Sequence, residues 1–393
     1  MAGLYIHIPF CASRCIYCGF YSTTSLKLRQ QYVDAVCREM ILRREKSSIK
    51  GTGSLTDIST IYLGGGTPSQ LTPEQLRQLF LYINKVYNLP SPLGGVGGGF
   101  EATIEMNPDD VTPAWAVVLP QLGINRVSMG AQTFDNERLR FLHRRHTAAQ
   151  VQQSVSILRD AGIRNISIDL MYGFPNETLN DWQRDIEAAL SLGVEHISAY
   201  CLMVEEGTPL YKLMNPRDGS PCDEELERQM YEMLIDKLTA AGYEHYEISN
   251  FAKPGYRSRH NSSYWQDIPY MGLGAAAHSY TLLGGSPSET TTIRSWNVAD
   301  IHQCIETIER GELPSEQEVI DNDTHYNDRI TVALRTSDGL DLTTLSDRHR
   351  RYCLKEAQNF LDDGLLQLHD NRLSLTRKGL FVSDYIMSSL IMV

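Results

Sequence analysis

The sequence predicts an α/β protein, a partial and open barrel of six parallel strands with helices outside, followed by a smaller α+β domain. Three observations carry this. Six apolar runs rich in β-formers recur at residues 4–8, 58–63, 100–106, 126–130, 165–170 and 196–202. Helical patterns separate them, at 26–44, 72–86, 113–122, 147–161 and 179–192. Strand–helix alternation gives a parallel sheet with helices outside, and right-handed crossovers curl it round. Polar and glycine-rich words follow the runs, where the strands of such a barrel carry chemistry. Six units rather than eight leave the barrel incompletely closed.

The first run leads into Cys11-Ala-Ser-Arg-Cys15-Ile-Tyr-Cys18. No regular helix or strand puts these three thiols on one face, but a loop turns all three inward. Thiolates select zinc or an iron–sulfur cluster. Structural zinc wants four closed ligands, and no second cysteine pair follows. Cys37, Cys201, Cys222, Cys304 and Cys353 are single and scattered. Three thiolates would leave one iron of a four-iron cluster open to a small molecule. A structural zinc site, or three reduced cysteines packed as small apolar residues, are the plainer readings.

The second run ends in Gly64-Gly65-Gly66-Thr67-Pro68. Glycine lets a backbone approach a ligand closely, and no Gly-Lys-Ser/Thr follows to make a phosphate loop. Thr72 before Pro73 and Glu74 reads as an N-cap. The third run carries Glu105, the fourth is followed by Gln132, the fifth ends in Asp169, and the sixth gives Tyr200 and then Glu205. Singly, each is an ordinary turn or solvated group. Together they are expected to converge on one mouth. Residues 47–56 read as a polar linker and 93–99 as a flexible glycine-rich loop.

The alternation stops near residue 205. An amphipathic helix is expected at 223–240, with Met230, Leu234 and Leu238 on one side, and an edge strand at 246–251. His260-Asn-Ser-Ser-Tyr264-Trp265 holds one potential haem or metal ligand among aromatic groups, although a lone histidine is usually a surface or hydrogen-bonded core residue. Residues 272–277 mimic a dinucleotide fingerprint but lack its βαβ unit and following acidic residue. Helices at 327–335, 345–362 and 378–390, with a ribbon turning at Asp370-Asn371, resemble a winged helix. Basic residues are sparse there, so it reads as a cap on the barrel. The expected division is 1–210, 211–322 and 323–393.

The chain has 393 residues, 42% apolar, enough for a large core. Its net charge of −12 opposes nonspecific nucleic-acid binding and a polybasic membrane anchor. No apolar stretch of about 18 residues predicts a spanning helix. Eight cysteines without a leader pattern predict reduced thiols in the cytoplasm.

The Cys-x3-Cys-x2-Cys word, with Tyr17 before its last cysteine, resembles the radical S-adenosylmethionine superfamily. Tyr5-Ile6-His7-Ile8-Pro9-Phe10 before it resembles the oxygen-independent coproporphyrinogen III dehydrogenase group. The intact His-Asn-x-x-Tyr-Trp word resembles the haem chaperone (HemW) family within that group. The resemblance implies a 4Fe-4S cluster on Cys11, Cys15 and Cys18. It implies S-adenosyl-L-methionine held by Tyr5, Tyr17, Gly65, Gly66, Thr67, Glu105, Gln132, Arg144 and Asp169, with Arg145 as the adjacent alternative to Arg144. It implies haem bound through His260, Asn261, Tyr264 and Trp265, with His278 a second candidate. Arg294 and Asn297 echo further family positions. The implied work is holding haem and delivering it to haem-requiring respiratory proteins, with the cluster serving dimer formation or haem release. The alternative is coproporphyrinogen III dehydrogenase itself, a radical oxidative decarboxylase of porphyrin metabolism. Phe20 stands where that enzyme has a further cysteine, and only ten residues precede Cys11; both depart from its pattern.

Overall fold

The computed structural model describes residues 2–50, 57–87, 89, 100–214, 222–283 and 291–392. Six strands, β1 (Ala2–Ile8), β2 (Ile58–Gly65), β3 (Glu101–Met106), β4 (Arg126–Gln132), β5 (Asn165–Tyr172) and β6 (His196–Cys201), pair in parallel in that order. Helices Arg29–Lys50, Pro73–Val86, Ala148–Asp160 and Leu179–Ser191 connect them. Three begin with reciprocal threonine caps, Thr72 with Gln75, Thr147 with Gln150 and Thr178 with Asp181, which satisfy amides that the first turn leaves open.

The expected helix at 113–122 is two short turns, Pro113–Ala116 and Val118–Gln121. Pro120 has no N–H to continue the ladder. The expected linker at 47–56 is in part helix, which runs to Lys50. Its remainder and the glycine-rich stretch 93–99 lie outside the described residues.

The sheet continues past the six strands on both sides. Beside β6, the expected edge strand at 246–251 is a hairpin of β7 (Glu244–Glu247) and β8 (Asn250–Ala252), with β8 on β6 and β7 at the edge. Beside β1, β9 (Tyr270–Leu273) is parallel. Then β10 (His278–Leu283), β11 (Thr291–Asn297) and β12 (Ser315–Ile320) follow antiparallel, making twelve strands in one sheet among the described residues. Asn297 is structural: it is buried and its side-chain amide donates to Glu39 Oε1 and Gly274 O at 2.8 Å.

Alternation along the strands sorts the two faces. Leu4, Ile6, Ile8, Ile61, Leu63, Ile104, Val127, Met129, Ile166 and Ile168 are buried in the apolar core. Each such side chain contributes about 1.5–3 kcal/mol of burial. That face supplies stability, so the opposite face can carry Tyr62, Glu105, Arg126, Ser128, Asp169 and Ser198 around the barrel interior.

The last part has its own apolar core, including Tyr326, Ile330, Leu342, Cys353, Leu373 and Ile386. Its sheet orders β13 (Leu340–Asp341), β15 (Arg372–Leu375) and β14 (Leu366–His369). Asp370 and Asn371 take φ of 48° and 62°, the conformation of a tight hairpin turn. The expected helix at 378–390 is broken into Arg377–Leu380 and Ser383–Ser389. At the break Phe381 packs edge-on against Tyr231, ring centres 5.7 Å apart. Among the described residues no helix is long and apolar enough to cross a membrane.

Candidate functional site

A cavity of about 700 Å³ opens at the C-terminal ends of the barrel strands. Cys11, Cys15, Cys18 and Tyr17 line it from the loop after β1, Gly65, Gly66 and Thr67 from the end of β2, and Glu105, Gln132, Arg144 and Asp169 from the strands and loops beyond. Backbone bonds hold the cysteine loop. Cys11 N–H donates to Thr23 O at 2.9 Å, and Ile16 N–H to Leu142 O at 3.3 Å. Burial raises the pKa of the Cys11 and Cys18 thiols. No group of three or more His, Cys, Asp or Glu among the described residues is drawn together as a single-ion cage. A cluster, whose iron corners hold thiolates farther apart than one zinc does, needs no such convergence. Three thiols on one cavity rim therefore suit it in number and type.

Gly66 shows why glycine stands against the chain leading into the cysteine loop. A Cβ there would lie 2.7 Å from the Pro9 carbonyl carbon and 2.9 Å from Ile8 O. Glu105 is held inside the cavity by two donors, the Tyr62 hydroxyl at 2.8 Å and the Gly65 N–H at 3.2 Å. Burial pushes its carboxyl up to about 7 and that of Asp169 up to about 6, although Tyr62, Gly65, Ser198 and Arg126 oppose it.

Arg144, not Arg145, faces the cavity. Its Nη2 donates to Gly130 O at 2.6 Å and Asn107 Oδ1 at 2.9 Å, and Nη1 lies 3.6 Å from Cys15 Sγ. Arg145 turns away to Asp109 and Asp110, each at 2.9 Å. Gln132 reaches the cavity because β4 slips register against β5 between Gly130 and Gln132, where Gln132 takes φ of 67°. A bulge re-aims a side chain in this way. Tyr5 is not a lining residue. It lies beside Tyr62, ring centres 6.3 Å apart, and bonds His7 Nδ1 at 3.1 Å.

Arg126, Ser128 and Tyr62 also line the cavity, and the sequence did not single them out. The signal available is the period of two on β4, where Arg126, Ser128 and Gly130 share a face. Arg126 is 1% exposed. Its Nε and Nη1 have no hydrogen-bond partner among the described residues. It is a buried cation set among Glu105 and Asp169.

The His260 motif forms the helix Arg259–Trp265, where His260 meets Gly3 of β1, Thr60 of β2 and Glu101 of β3 near the strand starts. Glu101, at the start of β3, accepts the His260 N–H at 2.9 Å and the Arg259 N–H at 3.1 Å. The His260 ring is fully buried. Nδ1 is 2.8 Å from Thr60 Oγ1 and Nε2 is 2.8 Å from the Tyr264 hydroxyl. Asn261 lines the cavity floor. Trp265 faces the other way, into a second cavity of about 570 Å³ walled also by Arg257, Arg329 and Arg372. Two of those arginines pair with Asp338 (3.2 Å) and Asp341 (3.3 Å). The motif helix thus separates two cavities, and the structure presents neither His260 nitrogen to either one. His278 is exposed on β10 and lines neither. Arg294 pairs with Asp328 at 2.5 Å and Glu318 at 3.2 Å.

Residues 5–189 match the radical SAM superfamily and residues 320–382 the HemN C-terminal domain. The heme chaperone HemW of Bacillus subtilis is 35% identical, covering 99% of both chains. The heme chaperone HemW of Mycobacterium tuberculosis H37Rv is 31% identical over 99% of this chain and 94% of its own. A mitochondrial radical S-adenosyl methionine domain-containing protein 1 of Bos taurus is 27% identical over 99% of this chain and 87% of its own. Among solved structures, the coproporphyrinogen III oxidase HemN of Escherichia coli, described as a radical SAM enzyme, superposes with a TM-score of 0.80 at 21% identity. It covers 99% of this chain and 89% of that one, and it shares the fold.

Proposed function

The chain belongs to the heme chaperone HemW family, built on the radical SAM fold, and on that premise we propose that it binds haem and delivers it to haem-requiring proteins. Its core carries a 4Fe-4S cluster and S-adenosyl-L-methionine. The observation that supports the cofactor reading is the cavity rim, where Cys11, Cys15 and Cys18 face Glu105, Arg144 and Asp169 across one space. The cluster and S-adenosylmethionine would together supply reductive cleavage of a sulfonium when bound.

The chain's own residues do the rest. Cys11, Cys15 and Cys18 would hold the cluster through their thiolates. Gly65, Gly66 and Thr67 offer backbone and hydroxyl donors at short range, and Tyr17 shields the cavity beside them. Glu105 would help to hold the cofactor. Gln132, Arg144 and Asp169 would take its nucleoside and carboxylate parts, while Tyr5 steadies the wall from behind. Haem binds with the help of the motif helix. Asn261, Ser262 and Trp265 are its members that line a cavity, and His260 and Tyr264 hold the helix in place. The division at 210 and 322, a cytoplasmic location, a cluster-dependent homodimer and respiratory proteins as haem acceptors belong to the same reading.

The second reading, coproporphyrinogen III dehydrogenase, has the shared fold behind it. Against it, Phe20 stands at the cysteine position and is 70% exposed at the cavity mouth, offering no thiol. Anaerobic incubation with coproporphyrinogen III, a reductant and S-adenosylmethionine decides between them. The chaperone reading predicts unchanged substrate, and protoporphyrinogen IX would overturn it.

A further inference from the structure

We propose that His260 is a positioning residue for Glu105, acting through the ring of Tyr62, and that it is not an axial ligand to haem iron. The proposal rests on the reading of Glu105 as a cofactor-binding group.

An axial ligand must offer a nitrogen lone pair to open space. Both His260 nitrogens are taken, by Thr60 and Tyr264 at 2.8 Å each. Each partner is a hydroxyl that donates or accepts, so a neutral ring is satisfied in either tautomer. The ring is 0% exposed, and Gly3 is why it fits: a Cβ there would stand 3.1 Å from His260 Cε1 and 3.2 Å from Thr60 Oγ1. Strand β1 therefore leaves room for a ring that never meets solvent.

What the ring does touch is Tyr62. The two stack with centres 5.2 Å apart and planes at 26°, a favourable offset geometry. A second ring beside Tyr62 is Tyr5, at 6.3 Å and 28°. Tyr62 is thus held between two rings, and its hydroxyl donates to Glu105 Oε1 at 2.8 Å. The second Glu105 oxygen is held by the rigid backbone of Gly65 at 3.2 Å. Removing His260 frees one side of Tyr62, and so loosens the side-chain donor that orients the carboxylate. Groups one layer behind a binding residue fix its geometry in this manner. Glu101 completes the arrangement by tying the His260 amide to the sheet at 2.9 Å.

The test uses the full chain, reconstituted anaerobically with its cluster. Affinity for S-adenosylmethionine is measured by equilibrium binding and by the change the ligand causes in the paramagnetic resonance of the reduced cluster. Haem affinity and absorbance are measured in parallel. His260→Ala is expected to weaken S-adenosylmethionine binding by roughly tenfold at unchanged iron content. Tyr62→Phe is expected to do the same, and the double variant to lose little more. His260→Phe restores a ring against Tyr62 that cannot ligate iron; it is expected to recover most of the affinity and to leave the haem spectrum unaltered. It also keeps the test open should His260→Ala fold poorly. Loss of haem affinity with a shifted Soret band in His260→Phe would overturn the proposal, as would unchanged S-adenosylmethionine affinity in His260→Ala. If Glu105→Gln leaves that affinity unchanged, the cofactor role of Glu105 fails and the proposal falls with it, a result distinguishable from failure at His260 alone.

Discussion

The Arg144 guanidinium lies 3.6 Å from the Cys15 sulfur while its other arm is fixed on Gly130 O and Asn107. With the proposed cluster on Cys15, a fixed cation at this place would favour its more negative, reduced state. At an effective dielectric of about 20 and a separation of about 6 Å, one charge is worth roughly 2.8 kcal/mol, or about 120 mV. Arg144→Gln is therefore expected to lower the cluster potential by an amount of that order. Potentiometric titration followed by paramagnetic resonance measures it, and an unchanged potential would remove Arg144 from the cluster's surroundings.

Gly130 carries a second expectation. A Cβ there would stand 2.6 Å from Gln132 Nε2 and 3.0 Å from Arg144 Nη2. Both are ends of side chains that can move, so Gly130→Ala should displace them without unfolding the chain. The expected outcome is a loss of S-adenosylmethionine affinity of about tenfold or more with a melting temperature within about 3 °C of wild type.

Glu105 should be visible in the pH dependence of stability. Its folded pKa is raised from 4.5 to about 7, by burial first. A raised carboxyl stabilises the fold fully below its ordinary pKa, and that contribution is lost as pH rises through the folded value. Between pH 4.5 and about 7 the ligand-free chain should lose up to roughly 3 kcal/mol from this group. Asp169, raised to about 6, acts with the same sign. His260, lowered from 6.5 to about 3 by burial and Arg126, acts oppositely: its contribution is present above 6.5 and fades as pH falls. The readout is thus the difference between wild type and Glu105→Gln in denaturant titrations, and a difference that does not vary with pH would contradict the account.

Glu101 anchors the motif helix by accepting two of its first amides. Glu101→Ala leaves those donors without a carboxylate and should cost about 1–3 kcal/mol. Chemical denaturation checks this. Increased amide exchange confined to residues 259–265 would locate the loss.

Much of the fold is legible because one face of each barrel strand is apolar and the helices between carry caps. Leu4, Ile6 and Ile8 announce β1, and Thr72 announces the helix at Pro73. The cysteine loop is legible from thiol count and spacing alone. The β7–β8 hairpin is not, because the turn at Ile248-Ser249 carries neither glycine nor proline. Arg126 is hidden by its place at the start of an apolar run, where an arginine reads as a solvated strand end. In the fold that end points into the barrel. His260 is obscured for the opposite reason. Its aromatic neighbours in sequence suggest a ligand pocket, whereas its decisive partners, Thr60 and Tyr62, come from a strand about 200 residues earlier. No local pattern contains them.

The most direct test of the central claim is haem transfer. The reconstituted chain is loaded with haem, separated from excess, and mixed with the haem-free form of a respiratory haem protein while the Soret band of each is followed. The account predicts saturable haem binding and a decay of the chaperone's band matched by growth of the acceptor's. Failure of the chain to bind haem, or binding with no passage of haem to any acceptor, would contradict it.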